Sequence, residues 1–206
     1  MIAVLDYGIG NLRSACKALQ KVGAGAVLVQ RPEDAAGASG IVVPGVGAFG
    51  ACVGALRAAG FEPAVREAVA GGLPVLGICV GFQMLFEGSD EDPGVPGLGL
   101  MRGRVVALPA SVKRPQMQWN RLDPPPGRQA GAMLGGLGER PWVYFVHSYA
   151  PAPAPPDDRA VVATCEYGGA VVAASERGSL WGCQFHPEKS GATGLSILRN
   201  FTALCA

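Results

Sequence analysis

Histidine is almost absent from this chain, which has two, His147 and His186, in 206 residues. Cysteine is present six times, but no two form a C-x-x-C pair. That spacing argues against a zinc site and against a disulfide framework, and fits a reduced, cytoplasmic protein. No sign of charge is in excess: 17 Lys and Arg stand against 16 Asp and Glu. There is neither a basic stripe for nucleic acid nor a polybasic tail for a membrane surface. No apolar run reaches transmembrane length. The N-terminus Met1-Ile2-Ala3-Val4-Leu5-Asp6 lacks a basic region and meets an acid at once, so it reads as a first strand and not as a signal peptide. No metal site and no cofactor is expected.

What is present is apolar runs and glycine, 31 residues of it. Strands are expected at Ile2 to Leu5, Ala26 to Val29 and Gly40 to Val43. Between the first two, Leu12, Ala15, Leu19 and Val22 follow helical spacing, with Asn11 as the expected N-cap. Helices follow from Phe49 to Ala59 and from Glu62 to Ala70. Strand and helix alternate, the mark of a parallel sheet covered on both faces. After the acidic, Pro/Gly-rich loop Glu87 to Gly99 the style changes. Short β-like runs appear at Gly103 to Leu108, Trp142 to Val146, Val161 to Cys165, Ala170 to Ala174 and Leu180 to Phe185. Proline-rich connectors at 123–127 and 151–156 read as stiff spacers. A last helix spans Gly191 to Leu204. The expected fold is α/β, a mostly parallel central sheet with antiparallel strands added in the C-terminal half. Residues 1–206 are expected to form a single domain.

The chemistry centres on Gly77-Ile78-Cys79-Val80-Gly81, the thiol form of the nucleophile elbow G-x-C-x-G. A strand from Pro74 to Ile78 leads into it, and a helical run from Phe82 to Glu87 is expected behind it. The helix start would aim free N–H groups at the sulfur, which favours thiolate. A buried structural cysteine in an ordinary βα turn is the competing reading. A second glycine-rich segment, Pro44-Gly45-Val46-Gly47, ends the third strand and leaves backbone N–H groups uncovered. In doubly wound sheets ligands sit beyond such strand ends.

A cysteine nucleophile needs a base, and there are two choices. His186 in His186-Pro187-Glu188 has a carboxylate two residues on that could fix its tautomer, as the acid does in a Ser-His-Asp triad. His147 has no such acid, and is expected in a site wall or an interface.

Together these residues resemble the class I (triad) glutamine amidotransferases, with Gln83 four positions after Cys79 and His-x-Glu near the C-terminus. Within that family, Asp6-Tyr7-Gly8-Ile9-Gly10-Asn11-Leu12, Pro44 to Phe49, Val146-His147-Ser148-Tyr149 and His186 to Ser190 are similar to the glutaminase subunits of imidazole glycerol phosphate synthases. The resemblance implies a flavodoxin-like three-layer fold and hydrolysis of L-glutamine by Cys79, His186 and Glu188. It implies an oxyanion hole from Val80 and from the Val46-Gly47 loop, which reorients in the family. It implies glutamine-binding roles for Gln83, Glu91, Ser148 and Tyr149. Its implied partner is a β/α-barrel cyclase subunit, forming a heterodimer that channels ammonia in histidine biosynthesis. Asn11, Arg13 and Lys189 match the docking face.

The chain departs from the family pattern at Gln116 and Gln118, where His and Gly are usual, and at Phe82, where Met is commoner. Three alternatives remain open at this point: the glutaminase of another amidotransferase, a stand-alone cysteine hydrolase, and a non-catalytic binding module.

Overall fold

A computed structural model describes residues 1–124, 131–139, 141–152 and 159–205. Its largest unit is a seven-stranded sheet. In chain order the strands and helices begin with β1 (Ile2–Leu5), α1 (Leu12–Lys21), β2 (Ala26–Val29) and β3 (Gly40–Gly45). They continue with α2 (Phe49–Ala58), α3 (Phe61–Ala70), β4 (Val75–Cys79) and the one-turn α4 (Val80–Gln83). After them come β5 (Gly88–Ser89), β6 (Arg104–Ala107), β7 (Gln116–Arg121), β8 (Trp142–His147) and β9 (Tyr149–Pro151). The chain closes with β10 (Val161–Glu166), β11 (Ala170–Arg177), β12 (Leu180–Cys183) and α5 (Gly191–Leu204). The sheet order is β10-β11-β12-β4-β3-β1-β2. The five strands from β12 to β2 are parallel, and β11 and β10 are added antiparallel at one edge.

Every residue of β1, β3 and β4 is buried. Successive side chains point to opposite faces of a sheet, so unbroken burial means that both faces are covered. Helices α1 and α5 pack on each other, as do α2 and α3. No helix among the described residues is long and apolar enough to cross a membrane. Outside the central sheet stand two small units, a β7–β8 antiparallel ribbon and the set β5-β6-β9.

Several sequence expectations need correcting. The helical run expected from Phe82 to Glu87 is a single turn that ends at Gln83. The returning segment takes the carbonyls that would have continued it: Leu98 N–H bonds to Met84 O (2.7 Å), Leu100 N–H to Leu85 O (2.8 Å) and Gly99 N–H to Phe86 O (3.0 Å). Tertiary pairing overrides local propensity here. Strand β4 runs one residue further than expected and includes Cys79, and β8 includes His147. Strand β7 was not foreseen, because its apolar residues Met117 and Trp119 lie on its exposed face. Asn11 makes no side-chain cap bond to α1, for its amide is engaged elsewhere. Of the proline-rich spacers, 125–127 and 153–156 lie outside the described residues.

The parallel strands bring their carboxyl ends together. Gly45 at the end of β3 is in register with Cys79 at the end of β4, and Ile78 with Cys183 at the end of β12. Three loops therefore open onto one place.

Candidate active site

Cys79 has φ 56°, the only positive φ of a non-glycine residue among those described. A side-chain-bearing residue there is strained, and strain of this kind gathers at working sites. The flanking glycines explain how the turn survives. A Cβ on Gly77 would stand 2.8 Å from Gly81 O and from Phe82 Cα. One on Gly81 would overlap Val43 O, and one on Gly45 would meet Gly81 N at 2.5 Å. The elbow and the end of β3 are thus packed backbone to backbone. Phe82 is fully buried and lies over Gly182, where any Cβ would strike its ring.

His186 follows β12, and its backbone N–H bonds to Tyr144 O at 3.0 Å. Its Nδ1 lies 2.8 Å from Glu188 Oε1, with both side chains almost wholly buried. Asn11 Nδ2 donates to the same carboxylate oxygen at 3.0 Å. The far imidazole nitrogen, Nε2, makes no hydrogen bond. Burial alone would push His186 down, but the neighbouring Cys79 and the hydrogen bond and charge of Glu188 outweigh it and raise its pKa to about 9. Burial likewise opposes ionisation of Glu188, and the hydrogen bond and charge of His186, with the Asn11 bond, carry its pKa below the ordinary carboxylate range.

Cys79 and His186 open into a cavity of about 550 Å³. The structure brings most of the sequence-derived residues to its wall: Val46, Gly47, Val80, Gln83, Glu91, Ser148, Tyr149, Asn11 and Lys189. Glu188 stands behind His186, and Arg13 is exposed on α1 and does not line the cavity. Glu91 Oε2 accepts the N–H of Phe49, the first residue of α2 (2.9 Å), which ties the acidic loop to the cavity rim. His147 also lines it. Its Nδ1 is 2.9 Å from Tyr149 O, a group that can only accept, so Nδ1 carries the proton and Nε2 is a bare lone pair without a partner. Burial lowers the His147 pKa to about 4, helped by the charge of His186 and opposed by the Tyr149 bond.

The loop after β3 is pinned from behind. The Tyr7 hydroxyl donates to Pro44 O, and the Cys52 thiol donates to Val46 O at 3.2 Å. Burial pushes the Cys52 thiol up to about 11, so it stays a protonated donor.

The fold, the strained cysteine and the buried His–Glu pair agree with a comparison across families. Residues 3–204 match the model of "Glutamine amidotransferase class-I". The chain belongs to the class-I glutamine amidotransferase family. Relatives include a protein of Deinococcus radiodurans, 45% identical over 203 residues, which cover 97% of this chain and 92% of that one. A Geobacillus kaustophilus protein is 44% identical, with 99% and 97% covered. A Synechococcus protein is 47% identical, with 100% and 93% covered. Each is named imidazole glycerol phosphate synthase subunit HisH. Among solved structures, a glutamine amidotransferase superposes with TM-score 0.77 at 23% identity, covering 99% of this chain and 98% of that one. PurLQS from Thermotoga maritima superposes with TM-score 0.75 at 22% identity, covering 97% and 96%. At that identity the two structures speak for the amidotransferase fold alone.

Sequence reasoning missed two members of this amidotransferase site. Asn11 was read as a cap and a docking residue, yet its amide holds Glu188. Gln184 was not singled out, yet it is fully buried with its Nε2 3.7 Å from Cys79 Sγ. Its place two residues before His186 was the available signal.

Proposed function

We propose that this chain is the glutamine-hydrolysing subunit of an imidazole glycerol phosphate synthase, acting as one domain over residues 1–206. Cys79 Sγ attacks the side-chain carboxamide carbon of L-glutamine. His186 hands a proton to the departing nitrogen, which leaves as ammonia, and a glutamyl thioester remains. Water, deprotonated by His186, then cleaves the thioester to glutamate and frees Cys79. Glu188 holds the imidazole with Nδ1 protonated and steadies its charge. The observation that carries this reading is the burial of the Glu188–His186 pair at 2.8 Å beside a cysteine held at positive φ.

The oxyanion that forms on attack needs donors already in place. Val80 N–H follows the nucleophile. In the loop after β3, the Val46 carbonyl is turned to Cys52, and in a trans peptide N–H and C=O point opposite ways. Gly47 N–H therefore points away from α2, which favours Gly47 as the second donor in this conformation. Gln83 commits both amide hydrogens inside the protein, to Tyr149 O (2.8 Å) and Gln184 Oε1 (3.0 Å). Its Oε1 is the atom left for substrate, which suits the ammonium and not the carboxylate of glutamine. With Glu91, Ser148 and Tyr149, Gln83 holds the amino and carboxylate ends of the substrate.

The relatives' names describe a synthase subunit, and the partner proposed here is a β/α-barrel cyclase in a cytoplasmic heterodimer. Its docking face is the outer side of the β7–β8 ribbon, where Met117, Trp119 and Trp142 are 62%, 49% and 51% exposed. Large apolar side chains gathered in this way mark interaction sites. Trp119 meets the Tyr144 ring edge-on at 6.2 Å, and Lys189 Nζ stands 6.0 Å from the same ring. Asn11 and Lys189 line the cavity, and Lys189 reaches from it to this ring.

The test is glutamine hydrolysis by the purified chain, alone and with the cyclase subunit and its nucleotide. A low rate alone and a large rise with the loaded partner support the proposal. Cys79→Ala should abolish glutamine-dependent synthesis and spare ammonia-dependent synthesis. Loss of both would make Cys79 an interface residue and not the nucleophile.

A further inference from the structure

The hydrogen-bond polarity around Cys79 can be worked out from one backbone carbonyl. Tyr149 O can only accept, so the side-chain atom of Gln83 that lies 2.8 Å from it is the amide nitrogen. That same nitrogen lies 3.0 Å from the side chain of Gln184, and with its other hydrogen it can only donate. The Gln184 atom facing it is therefore the oxygen. The second terminal atom of Gln184, 3.7 Å from Cys79 Sγ, must then be the NH2 group. No amide in this chain can be reversed without setting donor against donor or acceptor against acceptor. His147 Nδ1–H bonds to the same Tyr149 carbonyl at 2.9 Å and adds a second donor that holds it in place.

We infer that Gln83 and Gln184 form an amide relay of fixed direction, which delivers one N–H to the sulfur of Cys79. The relay rests on the reading of Cys79 as the nucleophile. Gln184 touches the reacting atom and is a catalytic residue; Gln83 acts through it and is a positioning residue. The burial of the pair sharpens the effect. Gln83 is 3% exposed and Gln184 0%, so water cannot replace a donor that is removed. An N–H aimed at sulfur stabilises the thiolate over the thiol and fixes the direction from which Sγ meets its substrate. His186, two residues further on, faces the same sulfur. The sulfur therefore has one partner that moves protons and one that cannot.

The relay is tested by the rate at which iodoacetamide alkylates Cys79 at pH 7.5, read at that residue by peptide mass spectrometry. This needs no glutamine and no partner. Gln184→Met keeps the volume and removes the donor, and should slow alkylation by about ten-fold, the effect of one hydrogen bond to a charged atom. Gln184→Glu keeps the bond from Gln83 but turns a carboxylate oxygen to the sulfur, and should slow it further. Glutamine turnover with the cyclase should lose kcat in the same proportion, with KM within about two-fold. Because Gln83 acts through Gln184, adding Gln83→Met to Gln184→Met should slow alkylation no further. Rates within two-fold of the parent in either folded Gln184 variant, or effects that multiply in the double variant, overturn the relay. Should Gln184→Met fail to fold, Gln184→Glu carries the same test. A parent chain that alkylates fast, slows in the variants, yet hydrolyses no glutamine with the cyclase would sink the proposed function and leave the relay standing.

Discussion

The two histidines occupy almost equivalent places and behave as opposites. His147 closes β8 and His186 lies just past β12. The Phe145 and Phe185 rings that precede them meet edge to face at 5.8 Å. Both imidazoles are buried and line one cavity. Yet His147 titrates at about 4 and His186 at about 9. The difference lies in what each Nδ1 faces. Before His147 stands a carbonyl, which holds the proton of the neutral ring but brings no charge to offset burial. Before His186 stands a carboxylate, with the sulfur of Cys79 on its other side. The cavity can thus hold one imidazolium, and the neighbouring ring stays neutral rather than repel it. Burial alone says little about a histidine's role, while the atom facing its Nδ1 says a great deal.

The largest break in this comparison is His186→Ala. It should lower kcat for partner-stimulated glutamine hydrolysis by about 10³-fold or more, since the group proposed to move the proton is gone. Next comes Glu188→Gln, expected to cost about 10- to 100-fold in the same assay. The loss is milder because the Asn11 amide donates to the Oε1 position, holding an oxygen there in the variant, so His186 keeps its Nδ1–H tautomer. Equal defects in the two variants would contradict these roles. Glu188→Gln should also change stability toward alkali. The folded pKa of His186, about 9, is above its unfolded value of 6.5. The protonated ring therefore stabilises the fold fully below pH 6.5, and this stabilisation is lost as pH rises through 9. Urea unfolding at pH 6 and pH 9.5 should show a smaller fall in the variant than in the parent.

The comparison also explains what could be read from the sequence. The turn at Cys79 and the pairing of His186 with Glu188 were legible because each constraint is local: glycines two residues either side of a strained cysteine, and an acid two residues past a histidine. The alternation of strand and helix up to Cys79 was legible because parallel strands buried on both faces leave unbroken apolar runs. Gln184 was not legible. Its meaning depends on Gln83, 101 residues away, and on a carbonyl direction that no residue pattern encodes. Asn11 was misread for a similar reason. Its position before α1 fits a cap, but Glu188, 177 residues on, competes for the amide and wins because the carboxylate is charged and buried. The end of α4 and the existence of β7 were decided by pairing with distant segments.

Asn11→Ala probes the near side of the His186 network and should lower kcat by about three-fold, since Glu188 keeps its bond to the imidazole. Combined with Glu188→Gln the effect should grow well beyond the product of the two, for the amide at 188 is then free to turn its NH2 to Nδ1 and force the wrong tautomer. Simple multiplication of the two losses would mean that Asn11 does not set the polarity.

The smallest effect on turnover is expected from His147→Asn. The asparagine amide can donate to Tyr149 O as Nδ1–H does, so glutamine hydrolysis should stay within about three-fold of the parent. Its signature is acid stability. The folded pKa of about 4 is below the unfolded value of 6.5, so between these limits the unfolded chain binds the proton that the folded chain refuses. Stability is then complete above pH 6.5 and declines as pH falls toward 4, by an amount on the order of 3 kcal/mol at the acid end. Asparagine does not titrate, and the variant should lose this slope when unfolded in urea at pH 6.5, 5.5 and 4.5. An unchanged slope would mean that His147 takes up its proton in the folded state. The cavity would then hold two imidazolium rings at once, and the contrast with His186 would be gone.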